Sequence, residues 1–357
     1  MSKELTYANS GVDRELRAKA KLSLKSLEQT YQYGAYGEAE HLPYGNIIPL
    51  GDRYLDLAVE GVGTKVLLAQ LAEKYDTIGV DGVAMVVNDV IRSGAKPLSI
   101  VDNIHTQVSD PILIGELMKG LVKGAAHSNC MITGGEIGDV GEIIAGLRKG
   151  KGFDMVVACI GEVDEGNVIR GNRIKPGDIV IGLRSSGLHS NGISLARKVL
   201  FKVWGGIFDP YDIPDGLDRE LIHEVLEPTK IYVRHLLEVM RTHQVKGAVH
   251  ITGDAYAKFD RLIKASQGIG FDFINIKPQP IFDIIQKSAK RLGGVSAEEM
   301  LKTFNLGWGF ALVVDGSYED NVLDILGKTG VEAETIGNVI SHPKIVALYK
   351  GKKIVLR

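Results

Sequence analysis

Apolar and polar residues alternate along Leu55–Glu60, and this period of two predicts a β-strand with one buried face. The strand runs into Gly61–Lys65 (GVGTK), where two glycines let the backbone turn tightly and bring its amides close to a ligand. An almost wholly apolar segment, Ile78–Arg92, follows and predicts a buried helix. The rest of the chain is organised around this strand, turn and helix.

The few polar residues of this region suggest a site for metal and phosphate. Asp81 and Asn88 are seven residues apart and share a helix face, whereas Asp89 lies about 100° further round. Carboxylates are rarely buried without a partner or a metal, and Glu60 adds a third acid at the strand end. Carboxylate oxygens suit Mg²⁺, and the amides of the glycine turn suit an anion. Alternatively, the acids are helix-surface charges and Gly61–Gly63 is an ordinary turn.

Two further segments are candidates for the same ligand. An apolar strand that begins at Cys130 meets Gly134-Gly135-Glu136, which predicts a second strand ending in a glycine turn. His189-Ser190-Asn191-Gly192 precedes a helix that begins at about Ile193, so Ser190 or Asn191 can cap that helix. The free amides of its first turn would suit a phosphate, and a plain helix cap without a ligand is the alternative.

The order of elements indicates the fold class. Strands and helices mix in both halves without strict alternation, which favours α+β domains. A helix is expected over Arg14–Tyr31, and Tyr33–Asn46, rich in glycine, tyrosine and acids, is expected to be a long loop. A polar segment, Asn167–Pro176, separates two strong strands, so we place the domain boundary near residue 170, with domains over 1–170 and 171–357.

Composition narrows the class of protein. The chain has 357 residues, of which 45% are hydrophobic and 24% charged, and its formal net charge is −2. This balance is typical of a soluble globular protein and argues against a nucleic-acid binder. Neither a signal peptide nor an apolar stretch long enough to span a membrane is found, so we expect a cytoplasmic protein. The two cysteines, Cys130 and Cys159, lie in apolar runs and are expected to be core residues.

Eight motifs occur together and in the order of one family. They are GVGTK at Gly61–Lys65, IGVDGVAMVVNDV at Ile78–Val90, GAKP at Gly94–Pro97, GGE at Gly134–Glu136, SSGLHSNGISL at Ser185–Leu195, EPTKIYV at Glu227–Val233, ITG at Ile251–Gly253 and FNLGWG at Phe304–Gly309. Although no single motif is decisive, the ordered set resembles the phosphoribosylformylglycinamidine cyclo-ligase (AIR synthetase) family over about residues 7–340.

The resemblance implies an ATP-dependent reaction of de novo purine biosynthesis. ATP phosphorylates the formyl amide oxygen of formylglycinamidine ribonucleotide, and the amidine nitrogen then closes the imidazole ring to give aminoimidazole ribonucleotide, ADP and phosphate. Such a transfer needs positioning and charge neutralisation more than a nucleophilic side chain, which fits acids that hold Mg²⁺ and glycine loops that hold phosphates.

The resemblance also implies an architecture. Mixed N-terminal sheets of two subunits join into a barrel across a homodimer interface, and the ATP sites lie near that interface. A separate C-terminal α/β layered domain follows, and the substrate lies in the cleft between the two domains.

Carried over by motif, the resemblance assigns roles to individual residues. The metal ligands are Glu60, Asp81 and Asp89. The nucleotide is bound by Gly61, Gly63, Thr64, Lys65, Asn88, Gly134, Gly135 and Glu136. The substrate is bound by His189, Ser190, Asn191, Thr252 and Gly253. The catalytic residues are His189, Asp81 and Lys65, and His189 is the candidate for proton transfer because the pKa of a histidine can lie near neutrality. Alternatively, His189 only orients its loop.

Three departures from the family pattern keep other functions open. Val59-Glu60 stands where the family has Thr-Asp, Gly253-Asp254-Ala255 replaces three glycines, and Tyr33–Gly45 matches the family's N-terminal glycine-rich loop poorly. The alternatives are another ATP-using relative of the same fold, such as thiamine-monophosphate kinase, selenophosphate synthetase or a hydrogenase maturation factor, and a non-catalytic paralogue that binds nucleotide or only a partner.

Overall fold

A computed structural model describes residues 5–357 of the chain. Its helices are α1 (Arg14–Lys21), α2 (Val66–Ala72), α3 (Asp76–Val90), α4 (Pro111–Ser128), α5 (Ile193–Leu200), α6 (Leu221–Val225), α7 (Val233–Thr242), α8 (Asp260–Ser266), α9 (Pro280–Ser288), α10 (Ala297–Thr303) and α11 (Glu319–Lys328). Its strands are β1 (Glu40–Leu42), β2 (Gly45–Leu50), β3 (Arg53–Gly61), β4 (Lys96–Thr106), β5 (Met131–Asp139), β6 (Phe153–Asp164), β7 (Ile179–Arg184), β8 (Gly247–His250), β9 (Gly270–Phe273), β10 (Trp308–Val314), β11 (Ala333–Ile340), β12 (Ile345–Tyr349) and β13 (Lys352–Val355).

The strands form two separate sheets. The first sheet has the order β1-β2-β3-β6-β4-β5, and only β4 and β5 run parallel. The second sheet has the order β13-β12-β9-β11-β7-β10-β8, and only β12 and β9 run parallel. Both sheets are therefore mixed, and the predicted α+β class with two sheet-containing parts is confirmed. The chain passes from the first sheet to the second between residues 164 and 179.

Helix α3 packs against β3 and β6 of the first sheet and against α4. Every residue from Thr77 to Val90 is buried. The crossing with α4 is close because both helices have glycine at the contact. A Cβ atom at Gly79 would lie 2.3 Å from the carbonyl oxygen of Leu117, and one at Gly120 would lie 1.9 Å from that of Asp76. A helix buried on all sides must find partners for its polar side chains, and this requirement shapes the site described below.

Several local predictions from the sequence are wrong. The helix expected over Arg14–Tyr31 ends at Lys21 and continues as a 3₁₀ segment, Leu22–Tyr33. The expected loop over Tyr33–Asn46 contains the hairpin of β1 and the start of β2, whose strands are too short to show an alternating pattern. Strand β5 continues through the glycines where a turn was predicted, because this edge strand pairs in parallel with β4 as far as Asp139.

The predicted cap of α5 is also wrong. Gly192 occupies the capping position with a left-handed backbone (φ 74°), and no side chain accepts a hydrogen bond from the first turn. Ser190 is instead turned towards α3, because its hydroxyl donates to Asp81. The serine thus belongs to the contact between the two sheets and not to the end of α5.

The outer face of the first sheet is apolar and uncovered. Leu57 and Val59 of β3 are 62% and 63% exposed, and Val101 of β4 is 45% exposed. Strand β6 lies between them, with Ala158 opposite both Val59 and Val101. These side chains form one continuous apolar strip. Among the helices of residues 5–357, none combines the length and the apolar character needed to cross a membrane.

Candidate functional site

Three buried polar side chains of α3 contact residues of the C-terminal half. Asp81, Asn88 and Asp89 are buried, and each is hydrogen-bonded or ion-paired to a residue beyond 188. An apolar helix with three such groups would be costly to bury without these partners. Helix α3 therefore lies at the interface between the two halves of the chain, and we call this interface the seam.

Asp81 lies at the centre of a polar cluster in which its Oδ1 atom accepts every hydrogen bond, while its buried Oδ2 atom has only the ion pair with Lys65. The Nζ atom of Lys65, which is fully buried, lies 3.0 and 2.8 Å from the two carboxylate oxygens of Asp81. The Oδ1 atom also accepts hydrogen bonds from the backbone amide and the hydroxyl of Thr229, both at 2.7 Å, and from the hydroxyl of Ser190 at 3.0 Å. Lys65 further donates to the carbonyl oxygen of Glu227 at 2.8 Å. This cluster joins the GVGTK turn, α3 and the EPTK segment.

Asn88 is likewise committed to backbone groups. Its side-chain amide donates to the carbonyl oxygen of Lys230 at 2.8 Å, and its carbonyl oxygen accepts from the amide of Tyr232 at 2.9 Å. An asparagine has few further hydrogen-bonding positions. Asn88 therefore fixes the position of residues 230–232, directly before α7.

Asp89 lies at the other end of the seam. Its Oδ1 atom is 2.7 Å from Nδ1 of His250, and its Oδ2 atom is 3.1 Å from Nη2 of Arg92. Burial raises the pKa of Asp89, but the guanidinium of Arg92 and the imidazole of His250 outweigh burial, so the pKa is lowered and the carboxylate is ionised. Burial lowers the pKa of His250 in spite of Asp89. A neutral His250 donates through Nδ1–H, and its buried Nε2 finds no partner among residues 5–357.

A cavity of about 190 Å³ opens beside Asp89. We call it the acidic cavity, since Asp56, Glu60 and Asp89 line it with Arg92 and Tyr44. Burial raises the pKa of Glu60, and the negative charge of Asp89 raises it further. Burial also raises the pKa of Asp56 to about 6, although Ser93 and Arg92 oppose it. Three carboxyl groups beside one arginine leave an excess of negative charge, which suits a cation.

A half-buried lysine, Lys258, faces this cavity's carboxylates from the C-terminal half. The Nζ atom of Lys258 donates to the carbonyl oxygen of His250 at 3.1 Å and to the hydroxyl of Thr252. Burial lowers the pKa of Lys258 to about 8, against the attraction of Asp89 and Glu60. A cation that is charged at neutral pH and fixed by two acceptors can neutralise charge that develops on a bound phosphate.

The structure buries His189 more completely than the sequence indicates. The side chain is 1% exposed, and its Nε2 accepts hydrogen bonds from the amides of Ser186 (3.2 Å) and Lys230 (3.5 Å). Burial lowers the pKa of His189 well below its ordinary value, and nearby positive charges lower it further. A neutral ring with a committed Nε2 holds its own loop and the segment before α7 in place.

The other predicted substrate residues lie along the same seam. Ser190 joins the Asp81 cluster, and Thr252 binds Lys258. The side-chain amide nitrogen of Asn191 is buried without a partner among residues 5–357, and its Oδ1 lies 3.6 Å from where a Cβ of Gly253 would be. Asn191 and Gly253 are therefore neighbours, as the resemblance implies.

The unusual Gly253-Asp254-Ala255 loop keeps a glycine-like backbone. Asp254 has φ 67° and Ala255 has φ 39°, both in the left-handed region that favours glycine. The added charge of Asp254 is balanced by Arg14 of α1, whose Nε lies 3.4 Å from its carboxylate. Helix α1 therefore packs against this loop.

The predicted phosphate loops are placed differently. Gly61, Gly63 and Thr64 are exposed at the end of β3, and Gly63 has φ 69°. Lys65 points inward to Asp81, as described. Gly134, Gly135 and Glu136 are exposed on the edge strand β5, which β6 and β4 separate from β3. Within one chain, the two glycine segments therefore do not meet.

Of the three predicted metal ligands, the structure brings two together. Glu60 and Asp89 share the acidic cavity, whereas Asp81 lies eight residues from Asp89 along α3, about 12 Å away. Within residues 5–357 no three His, Cys, Asp or Glu side chains already form a metal-binding group.

Sequence reasoning missed four residues of this site: Asp56, Arg92, His250 and Lys258. The period of two in β3 places Asp56 on the same face as Glu60, and this signal could have identified it. Lys258 resembles a helix-surface lysine in its local sequence, and only the tertiary structure shows that it binds His250 and Thr252 beside Asp89.

Comparison with solved structures extends the description of the fold. The HypE–HypF complex matches with a TM-score of 0.62 at 16% identity, covering 95% of this chain and 98% of that chain. AaThiL complexed with AMPPCP and TMP matches with a TM-score of 0.61 at 13% identity, covering 94% of each chain. At such identities the likeness concerns the fold alone.

Comparison of sequences identifies the family. Residues 46–163 match the N-terminal domain of AIR synthase related proteins, and residues 175–350 match the C-terminal domain. The phosphoribosylformylglycinamidine cyclo-ligase of Methanocaldococcus jannaschii is 38% identical over 98% of this chain and 95% of its own length. That of Pyrococcus furiosus is 36% identical over 98% of this chain and its own full length. The predicted resemblance is confirmed, and the chain belongs to the phosphoribosylformylglycinamidine cyclo-ligase family.

Proposed function

We propose that this protein catalyses the ATP-dependent closure of formylglycinamidine ribonucleotide to aminoimidazole ribonucleotide, with release of ADP and phosphate. The observation that carries the proposal is the end-to-end similarity, at 36–38% identity, to relatives that bear this enzyme's name. The kinase-like and maturation proteins of the same fold are only 13–17% identical to this chain.

The acidic cavity is the proposed position of the metal that accompanies ATP. Glu60 and Asp89 offer oxygen ligands, and Asp89 is held ionised by Arg92 and His250. Burial and, next, the charge of Asp89 raise the pKa of Glu60, and a bound cation would favour its ionised form. Bound Mg²⁺ would neutralise phosphate charge during the transfer. Asp81 is less suited to a metal, because the ammonium of Lys65 already lies 2.8 Å from its Oδ2 and because Thr229 and Ser190 donate to its Oδ1.

Lys258 and His250 are proposed to act on the phosphate side. Lys258 remains charged at neutral pH and faces Asp89 and Glu60, so it can stabilise negative charge on the transferred phosphoryl group. His250 holds Asp89 in one orientation through the bond at Nδ1. Its unpaired Nε2 can accept a proton or a hydrogen bond from a ligand. Gly61, Gly63 and Thr64, exposed beside this end of β3, stay proposed contacts of the nucleotide.

The substrate is proposed to lie along the seam beside Asn191 and Gly253. The buried amide of Asn191 is a free donor that a polar substrate would satisfy. Ser190 and Thr252 flank it on the Asp81 and Lys258 sides. Asp81, Lys65, Asn88 and His189 then act as positioning residues, because they hold the segments on which these contacts stand.

The apolar outer face of the first sheet is proposed to pair with a second copy of this chain. Leu57, Val59 and Val101 form a strip that water would otherwise cover at a cost in free energy. Joining two such sheets would produce the barrel implied by the family. It would also bring the exposed Gly134–Glu136 of one copy towards the other, and in this way the segment could take part in nucleotide binding.

Replacing Leu57 and Val59 by glutamate should give a monomer in sedimentation analysis, whereas an unchanged sedimentation coefficient would refute the barrel.

The experiment that tests the proposed reaction measures ADP and aminoimidazole ribonucleotide together. Purified protein is supplied with Mg-ATP, with and without formylglycinamidine ribonucleotide. We expect ADP release that depends on the substrate and matches the product one to one. ADP release without that dependence would favour a kinase-like relative. ATP binding without any release would favour a non-catalytic paralogue.

A further inference from the structure

A second cavity, of about 450 Å³, opens near Val80, towards the opposite end of α3 from the acidic cavity. It lies between α4, the EPTK segment and the start of α7. Five of its lining residues are basic, and we call it the basic cavity: Lys123, His127, Lys230, Arg234 and His235. None of the roles assigned above uses these side chains.

The positive charge of the basic cavity is not balanced by acids. None of its five basic side chains forms an ion pair with a carboxylate of residues 5–357. Glu227 also lines the cavity, but its carboxylate is bound by Arg219 at 2.7 Å. Glu332 attracts Lys230 from further away, as its effect on the pKa of Lys230 shows. Arg234 donates only to the carbonyl oxygen of Ala126, at 2.7 Å.

The start of α7 adds to this charge. A helix N-terminus carries a partial positive charge, so acids are favoured in the first turn and cations are not. In α7 the first turn has no acid, and Arg234 and His235 stand there, with Lys230 just before. Tyr232 provides no side-chain cap. The backbone amides of Val233, Arg234 and His235 have no acceptor in the described part of the chain.

The protonation of His235 is sensitive to the neighbouring cations. Burial is the main cause that lowers the pKa of His235, the charges of Lys230 and Arg234 add to it, and together they bring the pKa to about 4. Burial lowers the pKa of Lys230 as well. His235 also shows how the cavity is organised, because its Nδ1 lies 2.8 Å from the hydroxyl of Thr329, which itself donates to Leu326. An anion in the cavity would relieve the repulsion and provide acceptors for the free amides.

We infer that the basic cavity binds the phosphate group of a phosphomonoester. Lys230 and Arg234 are placed to contact the phosphate oxygens, with Lys123 and His127 across the cavity on α4, and the first amides of α7 at the base. Arginine and a helix N-terminus together are a common combination for phosphate. The phosphate belongs either to the ribonucleotide substrate or to a second phosphorylated ligand. Assigning the phosphate to the ribonucleotide substrate rests on the proposed function. The site itself is inferred from the basic side chains and the free backbone amides alone.

The first test titrates inorganic phosphate and ribose 5-phosphate into the whole protein by calorimetry. The double variant Lys230→Gln/Arg234→Gln should weaken binding of both by about tenfold or more. A matched control is Lys287→Gln/Lys290→Gln, which removes two exposed lysines of the α9 region that form no ion pair with a described residue. Equal phosphate affinity in the double variant and the wild type would overturn the site. If the double variant does not fold, Lys123→Gln/His127→Gln on exposed α4 positions provides the same comparison.

The second test identifies the source of the phosphate by steady-state kinetics. A raised KM for formylglycinamidine ribonucleotide, with kcat retained, would assign the cavity to the substrate's phosphate. An unchanged KM, together with lost phosphate binding, would assign it to a second phosphorylated ligand. If the wild-type protein has no cyclisation activity at all, the proposed function fails while the calorimetric result still decides the site.

Discussion

The two buried acidic residues of α3, Asp81 and Asp89, lie in opposite environments. The Oδ1 atom of Asp81 accepts hydrogen bonds from Lys65, Thr229 and Ser190, and Oδ2 is ion-paired with Lys65, so the charge of Asp81 is balanced by the protein itself. Asp89, two turns later, shares a cavity with Glu60 and Asp56. The first carboxylate fastens the two halves of the chain together, whereas the second is held ionised beside open space. The same helix therefore joins the two halves of the chain at one end and, in the proposed function, holds a metal ligand at the other.

This difference shows what distinguishes a structural from a functional buried acid. Both residues are buried, and both stand in motifs of the family. What separates them is whether their charge is fully compensated by fixed neighbours. Around Asp81 a buried lysine and two hydroxyl groups balance the charge, while around Asp89 three carboxyl groups share one arginine and Lys258, whose pKa is lowered to about 8.

The largest expected effect is a loss of turnover when Asp89 is replaced. Asp89→Asn should lower turnover by about 10³-fold, because it removes a charge that the metal and the phosphates require. The fold should survive, since asparagine keeps the shape and can still accept from His250. Substrate-dependent ADP release measures the loss, and circular dichroism checks the fold. Asp320→Asn, on the exposed face of α11, is the control. Turnover within a fewfold of the wild type would remove Asp89 from the metal site.

The second prediction concerns stability at the Asp81 end. Asp81→Asn leaves Lys65 as a buried cation without its carboxylate, so the free energy of unfolding should fall by about 3–5 kcal/mol. Urea denaturation measures the change. The double variant Lys65→Met/Asp81→Asn should recover part of the loss, because it also removes the uncompensated charge. A double variant less stable than Asp81→Asn alone would show that Lys65 has another essential partner.

The third prediction tests the cation that faces Asp89. Lys258→Met should lower turnover by about 10²-fold, because it removes charge stabilisation of the phosphoryl group. The pKa of Lys258 is about 8, below its ordinary value, so the amine loses its charge as pH rises through 8. Wild-type activity should therefore decline above that pH, and Lys258→Arg should retain activity at pH 9. Parallel pH profiles of the wild type and Lys258→Arg would exclude this role.

Sequence reasoning predicted the positions of α3 and β3 better than the environments of the polar side chains on them. Apolar periodicity located α3 and β3 within two residues, because both elements are buried on faces that their patterns specify. The chemistry of the polar residues could not be predicted in the same way. Whether Asp81 or Asp89 is free depends on Thr229, Ser190 and His250, which reach α3 only in the folded chain.

The glycine segments teach the same lesson. The sequence pattern GGE predicts a turn, but an edge strand tolerates glycine, and pairing with β4 carries the strand through Gly134 and Gly135. In the loop after β8, two residues other than glycine, Asp254 and Ala255, have the left-handed backbone that glycine would favour. Tertiary contacts, such as the ion pair between Arg14 and Asp254, decided the outcome in this loop.

The smallest expected effect is the change in unfolding free energy that results from burying Asp56 in the acidic cavity. The pKa of Asp56 in the folded protein is about 6, above the value of about 3.9 for an unfolded aspartate. The folded state therefore binds the proton more tightly, and the contribution of Asp56 to stability is present at low pH and lost as pH rises through 6. Asp56→Asn has no such loss, so relative to the wild type it should gain about 2 kcal/mol of unfolding free energy between pH 4 and pH 8. Thermal unfolding at the two pH values measures this gain.

Magnesium chloride should reduce the difference at pH 8, because a cation in the cavity stabilises only the ionised carboxylate. A difference that is constant with pH would mean that Asp56 is solvated and that the negative charge beside Asp89 comes from Glu60 alone.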